Sequence, residues 1–397
     1  MRFLVVTYGT EGDTRPLSAL CRALMDAGHE ARLLADRATL GAAGVPTAAL
    51  AGDIKAALPG DGSTGLAAAF TRIATANTAA WMRDIIAAGR GCDAILVSGL
   101  AAFAGLSAAE HLGVTAIGLG LIPITPTSAF PSPFLPPRLL PRWLDRTSHR
   151  AVNGLIWRAF RKATNAAREA VCGLPPRHSV WADHPMLYGI SPSLVPRPED
   201  WPETACICGQ WLTPTADWAP PPELGAFLAA GEPPLYVGFG SMAGFDRRRM
   251  LGALIAAVAG RRAVFYPGWS GIDPAALPAN FLAIGETPHD WLFPRTALVI
   301  HHGGSGTAHS AARAGVPSVV VPFAGDQPFW ADRLRRARVA GPPISAKGLT
   351  VSALARGIDF AESAGDRAAA LGRQMAAEDG VTTTIAAIET IMARSRP

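Results

Sequence analysis

The sequence predicts an α/β protein made of two facing Rossmann-like domains with an interdomain cleft. Short apolar strands alternate with helical segments, the pattern of open parallel sheets covered by helices. That pattern stops at a proline-rich break, Thr213–Pro222, and then restarts. Each half also opens with an apolar strand running into a glycine turn, at Phe3–Thr10 and at Leu235–Ser241. With 397 residues the chain can hold two domains of nearly equal size.

In the first half, Arg2–Thr7 reads as a strand, Pro16–Ala27 as a helix and Glu30–Ala35 as a second strand. A strand at Ala94–Ser98, a helix at Phe103–Leu112 and a strand at Thr115–Leu119 follow. Residues 213–222 hold too many prolines for a helix or central strand and read as a linker. The expected units are therefore an N-terminal domain at 1–212, a C-terminal domain at 223–380 and a last segment at 381–397. Within that segment, helix Thr384–Ala393 is expected to dock back on the first domain.

A chain that is 49% hydrophobic and 17% charged is globular rather than disordered or fibrous. The net charge of +5 suits phosphate ligands, and without a concentrated patch it does not point to nucleic acid. The only close cysteine pair, Cys206-Ile-Cys208, lies in an apolar stretch and reads as core rather than a zinc site. The N-terminus turns polar too early for a signal peptide, and the apolar run Gly113–Ile124 is short and broken by glycine and proline. A cytoplasmic location is expected.

The segment Val299–Arg333 carries the most chemistry. A strand at Ala297–Ile300 runs into the turn His301-His302-Gly303-Gly304-Ser305-Gly306-Thr307 and then an alanine-rich helix. Glycines let backbone approach a ligand closely, and free N–H groups at a helix start suit a phosphate. A second strand, Val316–Val321, delivers Asp326 and Gln327, a carboxylate and an amide able to grip sugar hydroxyls. The first turn, Gly9–Pro16, brings Glu11 and Asp13 to the mouth of the cleft. Asp13 could act as a base toward a hydroxyl, or either residue could cap the helix.

These segments, with Trp218–Met242 and Pro288–Phe293, resemble inverting family 1 glycosyltransferases of the two-domain GT-B fold. The resemblance is to the branch of bacterial sterol glucosyltransferase-like and glycopeptide-antibiotic enzymes. It implies an acceptor-binding first domain and a nucleotide-sugar-binding second domain. It implies Asp13 as catalytic base, where macrolide and plant relatives carry histidine. It further implies His301, Ser305, Gly306 and Thr307 on the diphosphate, Asp326 and Gln327 on the sugar, and Ser241 near the phosphates. His289 and Trp291, within Pro288–Trp291, are expected at the base pocket, though Trp291 could equally be core. No metal ligand is expected, because the chain has no Asp-x-Asp motif.

Gly238-Phe-Gly240-Ser-Met-Ala243 matches a dinucleotide fingerprint, but the next strand lacks the acidic residue that would hold a ribose. The basic, aromatic stretch Arg138–Arg168 is expected to wall the acceptor pocket or to make weak peripheral contact with a membrane. Phe130, Phe134 and Trp143 are the expected acceptor contacts. The expected activity is transfer of a hexose from UDP-glucose to a hydroxyl of a lipophilic aglycone. A nucleotide-sugar epimerase and a non-catalytic sugar-nucleotide binder are the alternatives.

Overall fold

A computed structural model describes residues 1–40, 44–57, 66–137, 139–212, 218–240, 246–268 and 272–395. Two parallel sheets form the frame. The first contains β1 (Arg2–Val6), β2 (Glu30–Asp36), β3 (Thr47–Leu50), β4 (Ala94–Val97), β5 (Thr115–Gly120), β6 (Met186–Tyr188) and β7 (Ala205–Ile207). Its strand order is β3-β2-β1-β4-β5-β6-β7. The second contains β8 (Leu235–Gly238), β9 (Ala263–Tyr266), β10 (Phe281–Ala283), β11 (Leu298–His301) and β12 (Ser318–Val320), ordered β10-β9-β8-β11-β12.

Strands buried on both faces read as continuous apolar runs. Leu4, Val5 and Val6 of β1 are fully buried, as are Leu298, Val299 and Ile300 of β11. In each sheet the chain reverses direction about its first strand, between β1 and β4 and between β8 and β11. Such switch points open crevices at the carboxyl ends of the strands. Gly9–Asp13 follows β1, and His301 ends β11 with His302–Gly304 after it, so both motifs lie at these crevices.

The two crevices face each other. The Ser305 hydroxyl donates to the Leu121 carbonyl at 3.1 Å, and Arg15 pairs with Glu286 at 2.9 Å across the gap. Beside the cleft, Phe130, Tyr188 and Trp201 of the first domain share one apolar cluster with Ala308, Phe329 and Trp330 of the second. His309 reinforces this seam: its Nε2 accepts the Ser191 N–H at 3.0 Å and its Nδ1–H donates to the Ser305 carbonyl at 2.7 Å. Burial holds its pKa down at about 4, so the ring stays neutral and keeps both roles. The last helix, Gly380–Arg394, lays Ile388 and Met392 into the cluster holding Leu17 and Leu20, and Thr384 accepts the Trp211 indole N–H at 2.7 Å.

Candidate active site

The first bank of the cleft is set by a helix that starts earlier than its proline implies. Proline is favoured in a first turn, which places the start at Pro16. The helix instead spans Glu11–Asp26 with Thr10 as N-cap, and Asp13 lies in its first turn. Both the Thr10 N–H, at 2.7 Å, and the Thr10 hydroxyl, at 3.2 Å, donate to Asp13 Oδ2. Asp13 therefore does cap. Its Oδ1 has no hydrogen-bond partner among the described residues, so the cap orients the carboxylate without consuming it. Burial raises the Asp13 pKa, opposed by the two Thr10 bonds, which makes it a stronger base than a solvated aspartate. A side chain at position 9 would collide with this group: a Cβ on Gly9 would lie 2.2 Å from Asp13 Oδ2. Glu11, by contrast, is engaged by Arg15 at 2.9 Å.

The second bank is the turn after β11. His301 is fully buried, and its Nδ1 accepts the Gly303 N–H at 3.1 Å. Burial, with His302 and His289 nearby, holds its pKa well below the ordinary value. The ring is neutral, and a ring nitrogen that accepts leaves the proton on the other, so Nε2 is the donor. That Nε2 is buried and has no hydrogen-bond partner among the described residues. Beside it begins helix Ser305–Arg313, whose first N–H groups lack intrahelical acceptors. A Cβ on Gly306 would meet nothing within 4 Å, so open space fronts this helix end. The Ser305 hydroxyl is taken up by the Leu121 carbonyl of the first domain, which leaves its backbone N–H at the helix start. Thr307 is half-buried on the same turn. Ser241 and Ala243, in the second glycine turn, lie outside the described residues.

Asp326 and Gln327 follow β12. Gln327 Oε1 accepts the backbone N–H groups of Phe323 at 2.7 Å and Ala324 at 3.2 Å, which ties the loop to the helix Gln327–Arg336. Asp326 Oδ2 accepts the Trp330 indole N–H at 2.6 Å. Burial lifts the Asp326 pKa to about 6, the Trp330 bond opposes this, and the charge of Asp13 adds to it. The charge of Asp13 thus reaches Asp326 from the opposite domain. Trp330 lies four residues beyond Asp326, one helical turn, a spacing that the sequence carries.

His289 stacks on Phe293 at 4.2 Å, and burial lowers its pKa to about 3. Trp291 is held by packing: Trp218 meets it edge-on at 4.9 Å and the Arg295 guanidinium lies 4.3 Å from its ring centre. The expected acceptor contacts are not gathered. Phe130 is buried in the interdomain seam, 5.3 Å from the Phe329 ring and covered by Arg333 at 4.7 Å. Trp143 is 79% exposed, and Phe134 is half-buried. An open cavity of about 490 Å³ lies instead at the carboxyl end of β3, lined by Gly52, Asp53, Ala69, Arg72, Ile73 and Asn77. Four of these belong to helix Leu66–Gly89, which includes the apolar segment Ala68–Trp81. Asp53, Arg72 and Asn77 give this cavity polar anchors.

Comparisons with known proteins agree with this frame. Residues 253–388 match the family described as erythromycin biosynthesis protein CIII-like, C-terminal domain. The chain is 33% identical to O-mycaminosyltylonolide 6-deoxyallosyltransferase of Streptomyces fradiae, over 98% of this chain and 97% of that protein. The chain belongs to the family 1 glycosyltransferases. It is also 30% identical to a sterol 3-beta-glucosyltransferase of Arabidopsis thaliana and 31% identical to one of Aspergillus terreus, in each case over 98% of this chain. It spans 65% and 30% of those proteins' lengths. Among solved structures, glycosyltransferase VinC in complex with dTDP aligns over 100% of both chains, with TM-score 0.72 and 20% identity. The glycosyltransferase of kitacinnamycin aligns over 98% of this chain and 99% of its own, with TM-score 0.75 and 19% identity. At these identities the structural likeness establishes the GT-B fold shared by this glycosyltransferase family. Among the described residues, no helix is long and apolar enough to cross a membrane.

Proposed function

We propose that the chain is an inverting, metal-independent transferase that moves glucose from UDP-glucose to a hydroxyl of a lipophilic acceptor. The observation that carries this reading is the carboxylate of Asp13, oriented by Thr10 on one bank of the cleft, opposite the unpartnered buried Nε2 of His301 and a helix N-terminus on the other. Asp13 Oδ1 takes the acceptor's proton, and the acceptor oxygen attacks the anomeric carbon from the face opposite the diphosphate. The bond to the diphosphate breaks, and the negative charge that develops falls to His301 Nε2–H and the N–H groups of Ser305, Gly306 and Thr307. Preorganised donors of this kind stabilise a leaving group without reorganising. Asp326, ionised, accepts sugar hydroxyls, while the Gln327 backbone and side chain fix the loop that presents it. His289 and Trp291 would border the nucleotide base.

The glucosyltransferase names of the sterol-directed relatives favour glucose and a sterol-like acceptor. The cavity at Gly52–Asn77, about 490 Å³ with Ala69 and Ile73 beside the polar Asp53, Arg72 and Asn77, has a size that suits a small lipophilic molecule. A second reading, a dTDP-deoxysugar donor and a macrolide acceptor, is favoured by the Streptomyces fradiae relative, which spans the full chain. Nucleotide release from UDP-glucose and dTDP-sugars, each with sterol and macrolide acceptors, separates the two. A β-linked product from an α-linked donor supports inversion. Release without acceptor, or no turnover despite tight nucleotide binding, counts against the transferase reading.

A further inference from the structure

Among the described residues, three of the four strongly exposed large apolar side chains lie in one stretch of the first domain. They are Leu139 at 59%, Trp143 at 79% and Leu155 at 66% exposed. Leu139 and Trp143 precede helix Asp145–Ala167, and Leu155 is on it. The inner face of that helix buries Trp157, Phe160 and Ala167. Its outer face carries Arg150, Leu155, Arg158, Arg161 and Lys162, all exposed and spaced to lie side by side. None of these four cations makes an ion pair among the described residues; Arg146 alone on this helix reaches an acid, Asp200 at 3.9 Å. The only acid between residues 139 and 167 is Asp145, which is 4% exposed.

We propose that this face docks on an anionic lipid bilayer. Trp143, Leu139 and Leu155 would enter the boundary between headgroups and acyl chains, and the cations would lie on lipid phosphates. Tryptophan favours that boundary, and basic side chains near an anionic leaflet add to the attraction. Charge complementarity selects this occupant over a second copy of the chain. A two-fold contact through the same face would set the unpaired cations of both copies against each other. The proposal does not depend on the donor or acceptor.

The test is co-sedimentation with two kinds of vesicle, one of phosphatidylcholine alone and one of equal parts phosphatidylcholine and phosphatidylglycerol. The protein should partition to the anionic vesicles, release in high salt, and bind the neutral ones weakly or not at all. Arg158→Glu with Lys162→Glu should weaken partitioning by roughly tenfold or more, given the per-charge attraction at such surfaces. Trp143→Ala should weaken it at unchanged charge. Arg356→Glu with Arg373→Glu, exposed on the second domain, should have a much smaller effect. All these positions are exposed, and circular dichroism checks the fold. The proposal is overturned by no partitioning to anionic vesicles, by equal loss in both double variants, or by an unaltered Trp143→Ala. It is also overturned if light scattering shows that these substitutions dissolve a dimer instead.

Discussion

The carboxylates of Asp13 and Asp326 come from opposite domains, and the charge of Asp13 adds to the burial that lifts Asp326 to about 6. A desolvated carboxylate that also feels another negative charge is costlier to ionise.

The first prediction follows from the sign of that shift. An aspartate whose folded pKa is raised binds its proton more tightly when folded. Its contribution to stability is therefore greatest below the ordinary carboxylate range and is lost as pH rises through about 6. Asp326→Asn should raise thermal stability at neutral pH, on the order of 1–3 kcal/mol, while depressing kcat/KM for the donor. Denaturation midpoints at acidic and neutral pH check this; equal midpoints for both proteins at neutral pH count against it.

Catalysis should share the same group. Below about pH 6 Asp326 takes up a proton and loses acceptor capacity for sugar hydroxyls, so donor KM should rise. Trp330→Phe removes the indole N–H that stabilises the ionised form. The acid limb of the donor KM profile should then move to higher pH by roughly one unit. A limb that stays in place shows that Asp326 is not the titrating group.

Gly9→Ala offers a test by packing alone. The added methyl would occupy the position of the Asp13 carboxylate, so the carboxylate must rotate away from Thr10. We expect kcat to fall roughly 10²-fold, as for a displaced general base, with nucleotide binding retained. Parallel losses of kcat and nucleotide affinity would indicate collapse of the turn instead.

His301→Ala removes the buried Nε2–H donor from the proposed diphosphate site. Nucleotide dissociation constants should weaken about tenfold, the worth of one hydrogen bond to a charged group. Turnover should survive EDTA. Activity lost on chelation and restored by magnesium would overturn the metal-free reading.

How far the sequence reached depends on the kind of signal. The strands at Arg2–Val6 and Leu298–His301 were legible because a doubly covered parallel sheet demands unbroken apolar runs. The glycine turns were legible because each follows such a strand at a switch point. The helix start was not: a proline at position 16 fits a first turn, and only the reciprocal Thr10–Asp13 contact moves the start to Glu11. Nor was the placing of Phe130 and Trp143. Phe130 and Trp143 come from similar proline- and aromatic-rich surroundings, yet one closes the seam against Phe329 and the other faces solvent. That difference is set by packing between segments distant in the chain.

The account rests on Asp13 as the base, and Asp13→Asn tests it most directly. The amide keeps the size and can still accept from Thr10, but it cannot take a proton. Turnover with a saturating acceptor should fall by about 10²–10⁴-fold, while calorimetry gives an unchanged affinity for UDP. Transfer at close to the wild-type rate, with normal nucleotide binding, would contradict the account and leave Asp13 as a helix cap only.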